Sequence, residues 1–470
     1  VKQRSLDPAG YLSTKTISAL CTPVGGAICM VRISGDQAIQ MGEKLARISF
    51  STADARKAKR AFLHDQNGKK LDDAVVIPFF GPNSFTGEDV VELFLHGSPM
   101  VAQRVLDVIF DLGGRLALPG EFSFRAVKNG KLQLSQAEAI KELVKAENDF
   151  ALDLALEKLS GSQHVLIEKI RADLMQLTML SEVGIDFSDQ DIDEVSLPRL
   201  KIRLDAAIAL LESLRGSFDR GKRFNDGVPV SIFGLPNAGK SSFFNALLGE
   251  DRSIVSATAG TTRDVVREKL SLKGDQGYVS FKISDTAGLR KSQDQIEEIG
   301  IERSLKAARE SDLILVTIDG ENPALDEVKK FLAQINLDTK LLLGVLTKED
   351  LLNPTQKDAL LKEVAELPVP HWVMVSSKSG FGMEPLAYEM ASLGEKKLAR
   401  SPGEVVLTQF EHVQAVERSL DCLNRAKLAF DLVLFATDIR HGMNELGPLI
   451  GETMPDDVLG KIFSDFCIGK

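Results

Sequence analysis

Short apolar runs and amphipathic stretches alternate along this chain, and the pattern changes three times. Before residue 125, apolar runs at 28–33, 74–80 and 90–95 predict strands. The first ends at Ser34-Gly35 and the second at Gly81-Pro82, both turn signals. The third alternates in polarity around Glu92, and a helical period covers 101–112 before Gly113-Gly114. From 131 to about 220 apolar residues recur at steps of three and four, as at Ile140, Leu143 and Val144, or Ile170, Leu174 and Leu177. That spacing predicts a run of amphipathic helices, with breaks at Gly161 and Pro198. From Val228 the runs 230–233, 279–283, 313–318, 341–346 and 373–375 read as strands buried on both faces, with helices between several of them. After Ala399 helical spacing returns at Val413, Val416, Leu420 and Leu423.

The fold class expected is α/β plus all-α. An N-terminal α+β domain spans 1–130 and a helical domain is split into 131–220 and 400–470. A doubly wound α/β domain, 221–399, is inserted between the halves, which then pack together.

Length and composition narrow this picture. At roughly 150 residues per domain, 470 residues suggest about three domains. With 44% hydrophobic and 26% charged residues the balance is globular, which excludes a disordered chain, a collagen and a small disulfide scaffold. A net charge of -10 argues against coating nucleic acid by bulk charge, although a local basic patch remains compatible with it. Cys21, Cys29, Cys422 and Cys467 form no Cys-x-x-Cys pair and have no His cluster, so neither zinc nor a disulfide framework is read. No apolar run reaches the ~18–20 residues of a membrane helix, and the first twenty residues lack a signal-peptide core. A cytoplasmic protein with no membrane insertion is expected. Asp189, Asp191 and Asp193 have calcium-loop spacing, but Glu194 and Leu200 stand where that loop needs Gly and Glu. The histidines, His96 included, show no partner spacing and read as structural.

The strongest chemical signal is Gly234-Leu-Pro-Asn-Ala-Gly239-Lys240-Ser241, after an apolar strand and before a helical stretch. It fits G-x-x-x-x-G-K-S, in which backbone N–H groups and a helix N-terminus cradle phosphates. Lys240 reaches the β- and γ-phosphates, and the Ser241 hydroxyl ligates Mg²⁺. Thr261-Thr262-Arg263-Asp264 lies in a polar, Gly-containing loop suited to a switch, where a Thr completes the Mg²⁺ shell. Asp285-Thr286-Ala287-Gly288 follows a strand; Asp285 would hold Mg²⁺ through water, and the Gly288 N–H would sense the γ-phosphate. Thr347-Lys348-Glu349-Asp350 is similar to the Asn-Lys-x-Asp guanine signature, and Ser376-Ser377-Lys378 to the Ser-Ala-Lys loop. Asp350 would accept from guanine N1–H and the 2-amino group, which adenine does not offer. Thr347 replaces the usual Asn and so removes an amide, which points to weaker guanine affinity with discrimination kept by Asp350. Five such segments in order, each after a strand, identify a GTPase.

Across nearly its whole length the chain resembles the MnmE (TrmE) family of tRNA wobble-uridine modification GTPases. The resemblance is carried by Gly81-Pro-Asn-Ser-Phe-Thr-Gly-Glu-Asp89, Pro119-Gly-Glu-Phe122, Leu134-Ser-Gln-Ala-Glu138, Pro-Asn-Ala-Gly-Lys-Ser in the phosphate loop, Ala259-Gly-Thr-Thr-Arg-Asp264 and Phe466-Cys-Ile-Gly-Lys470. No Gln follows Gly288 directly to orient a water, since Leu289 and Arg290 stand there. The resemblance implies instead hydrolysis accelerated by K⁺ and by dimerisation of the GTPase domains. It implies K⁺ ligation by Asn237, by the carbonyls of Ser256 and Thr258, and by Thr261, and Mg²⁺ ligation by Ser241 and Thr262. The nucleotide-binding set then comprises Asn237, Ala238, Gly239, Lys240, Ser241 and Ser242, and the loop of Ser256, Ala257, Thr258, Ala259, Gly260, Thr261 and Thr262. To these it adds Asp285, Thr286, Ala287 and Gly288, and the base loops with Thr347, Lys348, Asp350, Ser376, Ser377 and Lys378. Glu297 alone reads as a solvated helix carboxylate beside Glu298 and Glu302; the resemblance implies that it orients the attacking water, with Asn237 and Lys240 as its catalytic companions.

The resemblance further implies a tetrahydrofolate derivative (the 5,10-methylene or 5-formyl form) at a dimer interface of the N-terminal domain. Arg32, Glu92, Lys131 and the C-terminal Lys470 would contact it; by base rates alone Arg32 and Lys131 read as surface charges. Phe124 stands where relatives commonly carry Glu, and Cys467 is either a functional tail thiol or a buried small hydrophobe. The implied assembly is a homodimer, joined by a FAD-dependent partner (MnmG, also called GidA) in a heterotetramer acting on tRNA. The product would be an aminomethyl or carboxymethylaminomethyl group at C5 of the wobble uridine. The alternative is a regulatory GTP switch in ribosome assembly without modification activity. The first residues are not an Arg- and Ser-rich leader, from which a bacterial source is expected unless a transit peptide was cut away.

Overall fold

The computed structural model describes residues 11–186, 196–249, 268–283, 297–401, 403–451 and, beyond these, 460, 462–464, 466, 468 and 469; the side chains of 268 and 297–303 are not described. Contacts divide the chain into two compact units. One holds Val1–Lys141, Leu159–Ala207 and Arg418–Lys470; the other holds Glu142–Lys158 and Ile208–Glu417.

The first unit contains a six-stranded sheet in the order β3-β4-β5-β2-β1-β6. Its strands are β1 (Ile17–Leu20), β2 (Ile28–Ser34), β3 (Lys59–His64), β4 (Lys70–Phe79), β5 (Val90–His96) and β6 (Arg115–Leu116). Neighbours are antiparallel except β1 and β6. Cys29, Val31 and Ile33 of β2 and Val91, Leu93 and Leu95 of β5 point to one face, where they form a core with α1 (Ala38–Ala46) and α2 (Pro99–Asp111). The alternate positions of β2 and β5 put Arg32 opposite Glu92 on the other face. There α3 (Glu121–Lys128) brings Phe122 against Ile17 and Ala19.

α3 is held by buried charge. Glu121 is fully buried and accepts from Arg115 Nη1 at 2.7 Å and Arg125 Nη2 at 2.9 Å. Arg125 also donates to Glu88 at 2.9 Å, and Glu88 accepts from the Ser34 hydroxyl at 2.8 Å. Each buried charge has partners, as its desolvation demands. The helices of this unit follow the sequence periodicity: α4 (Leu134–Lys145) contributes its first turns, and α6 (Ser162–Asp186) begins after Gly161, whose φ of +92° marks the break. α6 packs on α15 (Leu432–Glu445), so the two halves of the helical region meet. Lys201 of α7 (Leu197–Gly216) donates to the Ala429 carbonyl at 2.7 Å, after the end of α14 (Phe410–Leu428). α16 (Gly447–Ile450) follows. Phe463 and Phe466 join Tyr11, Phe124 and Leu134 in a small core. Phe124 therefore has an apolar role in this chain, edge-on to Phe463 at 5.8 Å.

The second unit contains a sheet in the order β12-β11-β10-β7-β9-β8. The strands are β7 (Val228–Phe233), β8 (Glu268–Lys273), β9 (Tyr278–Ile283), β10 (Leu313–Asp319), β11 (Leu341–Thr347) and β12 (Trp372–Met374). All pairs are parallel except β8 with β9. Alternation explains the unbroken apolar runs: Leu313, Leu315, Leu343 and Val345 enter one core, and Ile314, Val316, Leu342 and Leu346 the other. The first core is shared with α9 (Lys240–Gly249) and α13 (Met383–Leu398). The second is shared with α10 (Glu297–Glu310), α11 (Leu325–Leu332) and α12 (Pro354–Val364), and Phe233 stacks on Phe331 there. α5 (Asp149–Leu159) and α8 (Phe218–Asp226) belong largely and wholly, respectively, to this unit. Asn148 binds them to the sheet, donating to the Phe224 carbonyl and the Ser280 hydroxyl, both at 3.1 Å.

Replacing Arg125 with Met removes the shared partner of Glu88 and Glu121. We expect the N-terminal sheet to lose about 3 kcal/mol. Hydrogen exchange of the β2 and β5 amides reads this directly, and unchanged protection would contradict a structural role for the network.

Candidate functional site

The parallel strands β7, β10, β11 and β12 end on one edge, and that edge carries the predicted nucleotide residues. The phosphate loop runs from Gly234 to Gly239 between β7 and α9. Two of its residues hold left-handed backbone: Asn237 at φ +63° and Gly239 at +75°. Asn tolerates that region better than other side chains do. Gly234 has no room for a side chain, since a Cβ there would lie 2.7 Å from the Thr317 carbonyl oxygen. Phe243, Phe244 and Leu247 anchor α9 in the core, which aims its first turn at the loop. Ser241 is half-buried on that turn, while Ser242 and Asn237 are exposed.

Lys240 Nζ donates to the carbonyls of Gly234 and Leu235, both at 2.7 Å. Burial pushes its ammonium below the ordinary lysine range. Two of its three donors are thus held by the loop, and a third is left for a phosphate oxygen.

The base loops are equally ordered. Asp350 lies on the short turn Glu349–Leu351 after β11. The Ser376 hydroxyl donates to its Oδ1 at 2.7 Å, and this bond holds the Asp350 carboxyl below the usual carboxylate range. Asp350 is thus an ionised, oriented acceptor at neutral pH. Ser376 is itself buried, with its N–H on the Phe381 carbonyl and its carbonyl accepting from Gly380 N–H. Ser377 is half-buried and Lys378 exposed. Lys348 adopts φ +58° and donates to Asp319 Oδ2 at 2.7 Å, which pushes its ammonium upward. Thr347 is buried, and its hydroxyl donates to the Ala238 carbonyl of the phosphate loop at 2.9 Å.

A second constellation lies on the face of the N-terminal sheet that α3 partly covers. Arg32 Nε and Nη2 both donate to Glu92 Oε1, at 2.9 and 2.8 Å. The guanidinium lies over the rings of Phe85 at 5.1 Å and Phe122 at 5.5 Å. Lys131 is exposed, and its stem lies beside Gly87, where a Cβ would be 3.2 Å from Lys131 Cγ. Gly469 packs against the Leu20 carbonyl at the end of β1.

The structure thus gathers Asn237, Ala238, Gly239, Lys240, Ser241, Ser242, Thr347, Lys348, Asp350, Ser376, Ser377 and Lys378 on one edge, and joins Arg32 to Glu92. Ser256, Ala257, Thr258, Ala259, Gly260, Thr261, Thr262, Asp285, Thr286, Ala287, Gly288, Cys467 and Lys470 lie outside the described residues, as does the segment with Asp189, Asp191 and Asp193. Glu297 opens α10, and its side chain is outside the description. The sequence did not reveal Phe85 and Phe122 over Arg32, the Glu88–Arg125 pair, or Asp319 beside Lys348. Phe85, Glu88 and Phe122 fell inside the recognised motifs, but their partners come from distant segments.

Parallel strands with helices on both faces, a phosphate loop after β7 and an oriented aspartate after β11 define a P-loop protein of the GTPase class. Comparison with known families carries this further. The family described as "MnmE helical domain" matches residues 134–467, and "GTP-binding protein TrmE N-terminus" matches 16–131. Three relatives, each called "tRNA modification GTPase MnmE", are similar over almost their whole length. That of Protochlamydia amoebophila is 35% identical over 98% of this chain and 98% of its own. That of Fervidobacterium nodosum is 36% identical over 98% of both, and that of Aquifex aeolicus is 36% identical over 97% of this chain and 99% of its own. The chain belongs to the MnmE family of tRNA modification GTPases. Among the described residues no helix is long and apolar enough to cross a membrane.

Asp350→Asn replaces one carboxylate acceptor with a donor. We expect GDP affinity to fall at least about 100-fold, with preference moving to xanthosine diphosphate, whose C2 carbonyl accepts. Ser376→Ala should weaken GDP about tenfold without that switch in preference. Competition binding with the two nucleotides checks both.

Proposed function

We propose that this chain hydrolyses GTP to GDP and phosphate in the cytoplasm and uses the cycle to modify the wobble uridine of tRNA. The observation that carries this reading is the single sheet edge on which the phosphate loop and the Asp350–Ser376 pair converge. Relatives of full length that are called tRNA modification GTPases support it over a ribosome-assembly switch.

In this reading Lys240 neutralises the β- and γ-phosphates, and Ser241 with Thr262 would hold Mg²⁺, Asp285 adding a water-mediated contact. Glu297 orients the attacking water. K⁺ fits Asn237, whose exposed side chain stands on a left-handed turn of the phosphate loop. Ser256, Thr258 and Thr261 would complete the set, and the bound cation would offset charge developing between the β- and γ-phosphates.

The N-terminal constellation fits a folate derivative. Glu92 and Arg32 offer an acid and a cation, Phe85 and Phe122 offer aromatic surface for a flat ring, and Lys131 with Lys470 would meet the glutamate tail. When bound, the folate would supply the one-carbon unit. The sheet face that carries Arg32 leaves Ile28 64% and Phe62 45% exposed, which favours a homodimer through this domain. A FAD-dependent partner of the MnmG type completes the modifying assembly, and the product carries an aminomethyl or carboxymethylaminomethyl group at C5.

GTP turnover in K⁺ and in Na⁺ at equal ionic strength tests the cation assignment. We expect K⁺ to raise the rate at least about tenfold in the wild type and to have no effect in Asn237→Ala. Equal rates in both salts would sink the K⁺ site while leaving GTP binding intact.

A further inference from the structure

We propose that Thr347 is a positioning residue for the phosphate loop, and that its hydroxyl, committed there, leaves guanine N7 unread at this position. The inference rests on the base-site reading above and deepens it. Thr347 is 2% exposed at the end of β11. Its hydroxyl oxygen lies 2.9 Å from the Ala238 carbonyl and 3.2 Å from the Ile318 carbonyl. Both neighbours accept, and a hydroxyl has one hydrogen to donate. That hydrogen is therefore committed to the protein. The edge of guanine that carries N7 and O6 offers only acceptors, so Thr347 has nothing to give it. An Asn at this position has two amide hydrogens, enough for one carbonyl and one base atom.

The bond falls where the phosphate loop needs it. Ala238 lies between Asn237 and Gly239, the two left-handed residues of the loop. The Thr347 side chain also packs on Gly239, where a Cβ would come within 3.3 Å of its Oγ1. The hydroxyl thus ties the end of β11 to the middle of the loop and fixes the peptides that face phosphate. Guanine discrimination then rests on Asp350, oriented by the Ser376 hydroxyl, within the base loops described above.

Binding of GDP and of 7-deaza-GDP, in which N7 is a carbon, to the full chain separates the two roles. Wild type should bind both within about twofold. Thr347→Val keeps the shape and loses the hydroxyl; it should weaken both nucleotides equally, by about five- to tenfold, and Thr347→Ser should restore both. Thr347→Asn should restore the tether and introduce a preference for GDP over 7-deaza-GDP. A wild type that binds 7-deaza-GDP at least about fivefold more weakly than GDP would overturn the inference, because a donor then reaches N7. So would a folded Thr347→Val protein with unchanged GDP affinity. A wild type that binds neither nucleotide refutes the guanine site itself, an outcome distinct from both.

Discussion

A loop that binds phosphate has to leave its own N–H groups unpaired, so its shape must be held from outside. Backbone amides committed to a helix or a sheet are not available to a ligand. Here the support comes from three sides. β7 enters from a core buried on both faces, α9 leaves with Phe243, Phe244 and Leu247 in that core, and Thr347 grips the Ala238 carbonyl. The left-handed backbone at Asn237 and Gly239 persists because these supports over-determine it. Base recognition depends on the same framework. β11 and β12 run parallel to β7 and β10, so their terminal loops emerge beside the phosphate loop.

The N-terminal domain solves a different problem. Its candidate ligand groups are charged, and charges near a core need partners. Arg32 is neutralised by Glu92 and covered by two aromatic rings. In the same domain, Glu88, Arg125, Glu121 and Arg115 form a chain of ion pairs that fixes the loop carrying Phe85 and the helix carrying Phe122. α3 also seats the C-terminal segment, because Phe463 and Phe466 pack with Phe124 and Leu134. Phe463 and Phe466 are thereby held to the N-terminal domain. Phe124 serves this packing.

Much of this was legible from one dimension. Strands β7, β9, β10 and β11 were predicted because burial on two faces demands unbroken apolar runs. The phosphate loop and Asp350 were found because such chemistry needs particular residues at fixed local spacing. Other elements were not visible. β8 lies at a sheet edge, and of its described side chains only Leu270 and Leu272 enter the core. β1 is four residues long, β3 is an edge strand that opens on Lys59-Arg60, and β6 has two residues.

What the sequence determined by itself, then, is whatever a single segment can express: periodicity, turn chemistry, the phosphate-loop motif and an acidic residue suited to accept from a base. Tertiary structure alone decided which distant groups meet. Arg125 finds Glu88 across 37 residues, Arg32 finds Glu92 across 60, and Thr347 finds Ala238 across 109. The missing amide at Thr347 read in the sequence as a loss, because the side chain was weighed only against the base. Folding supplied a nearer partner, the loop carbonyl. A buried hydroxyl is claimed by the closest acceptor that packing delivers, and strand register rather than residue type chooses that acceptor.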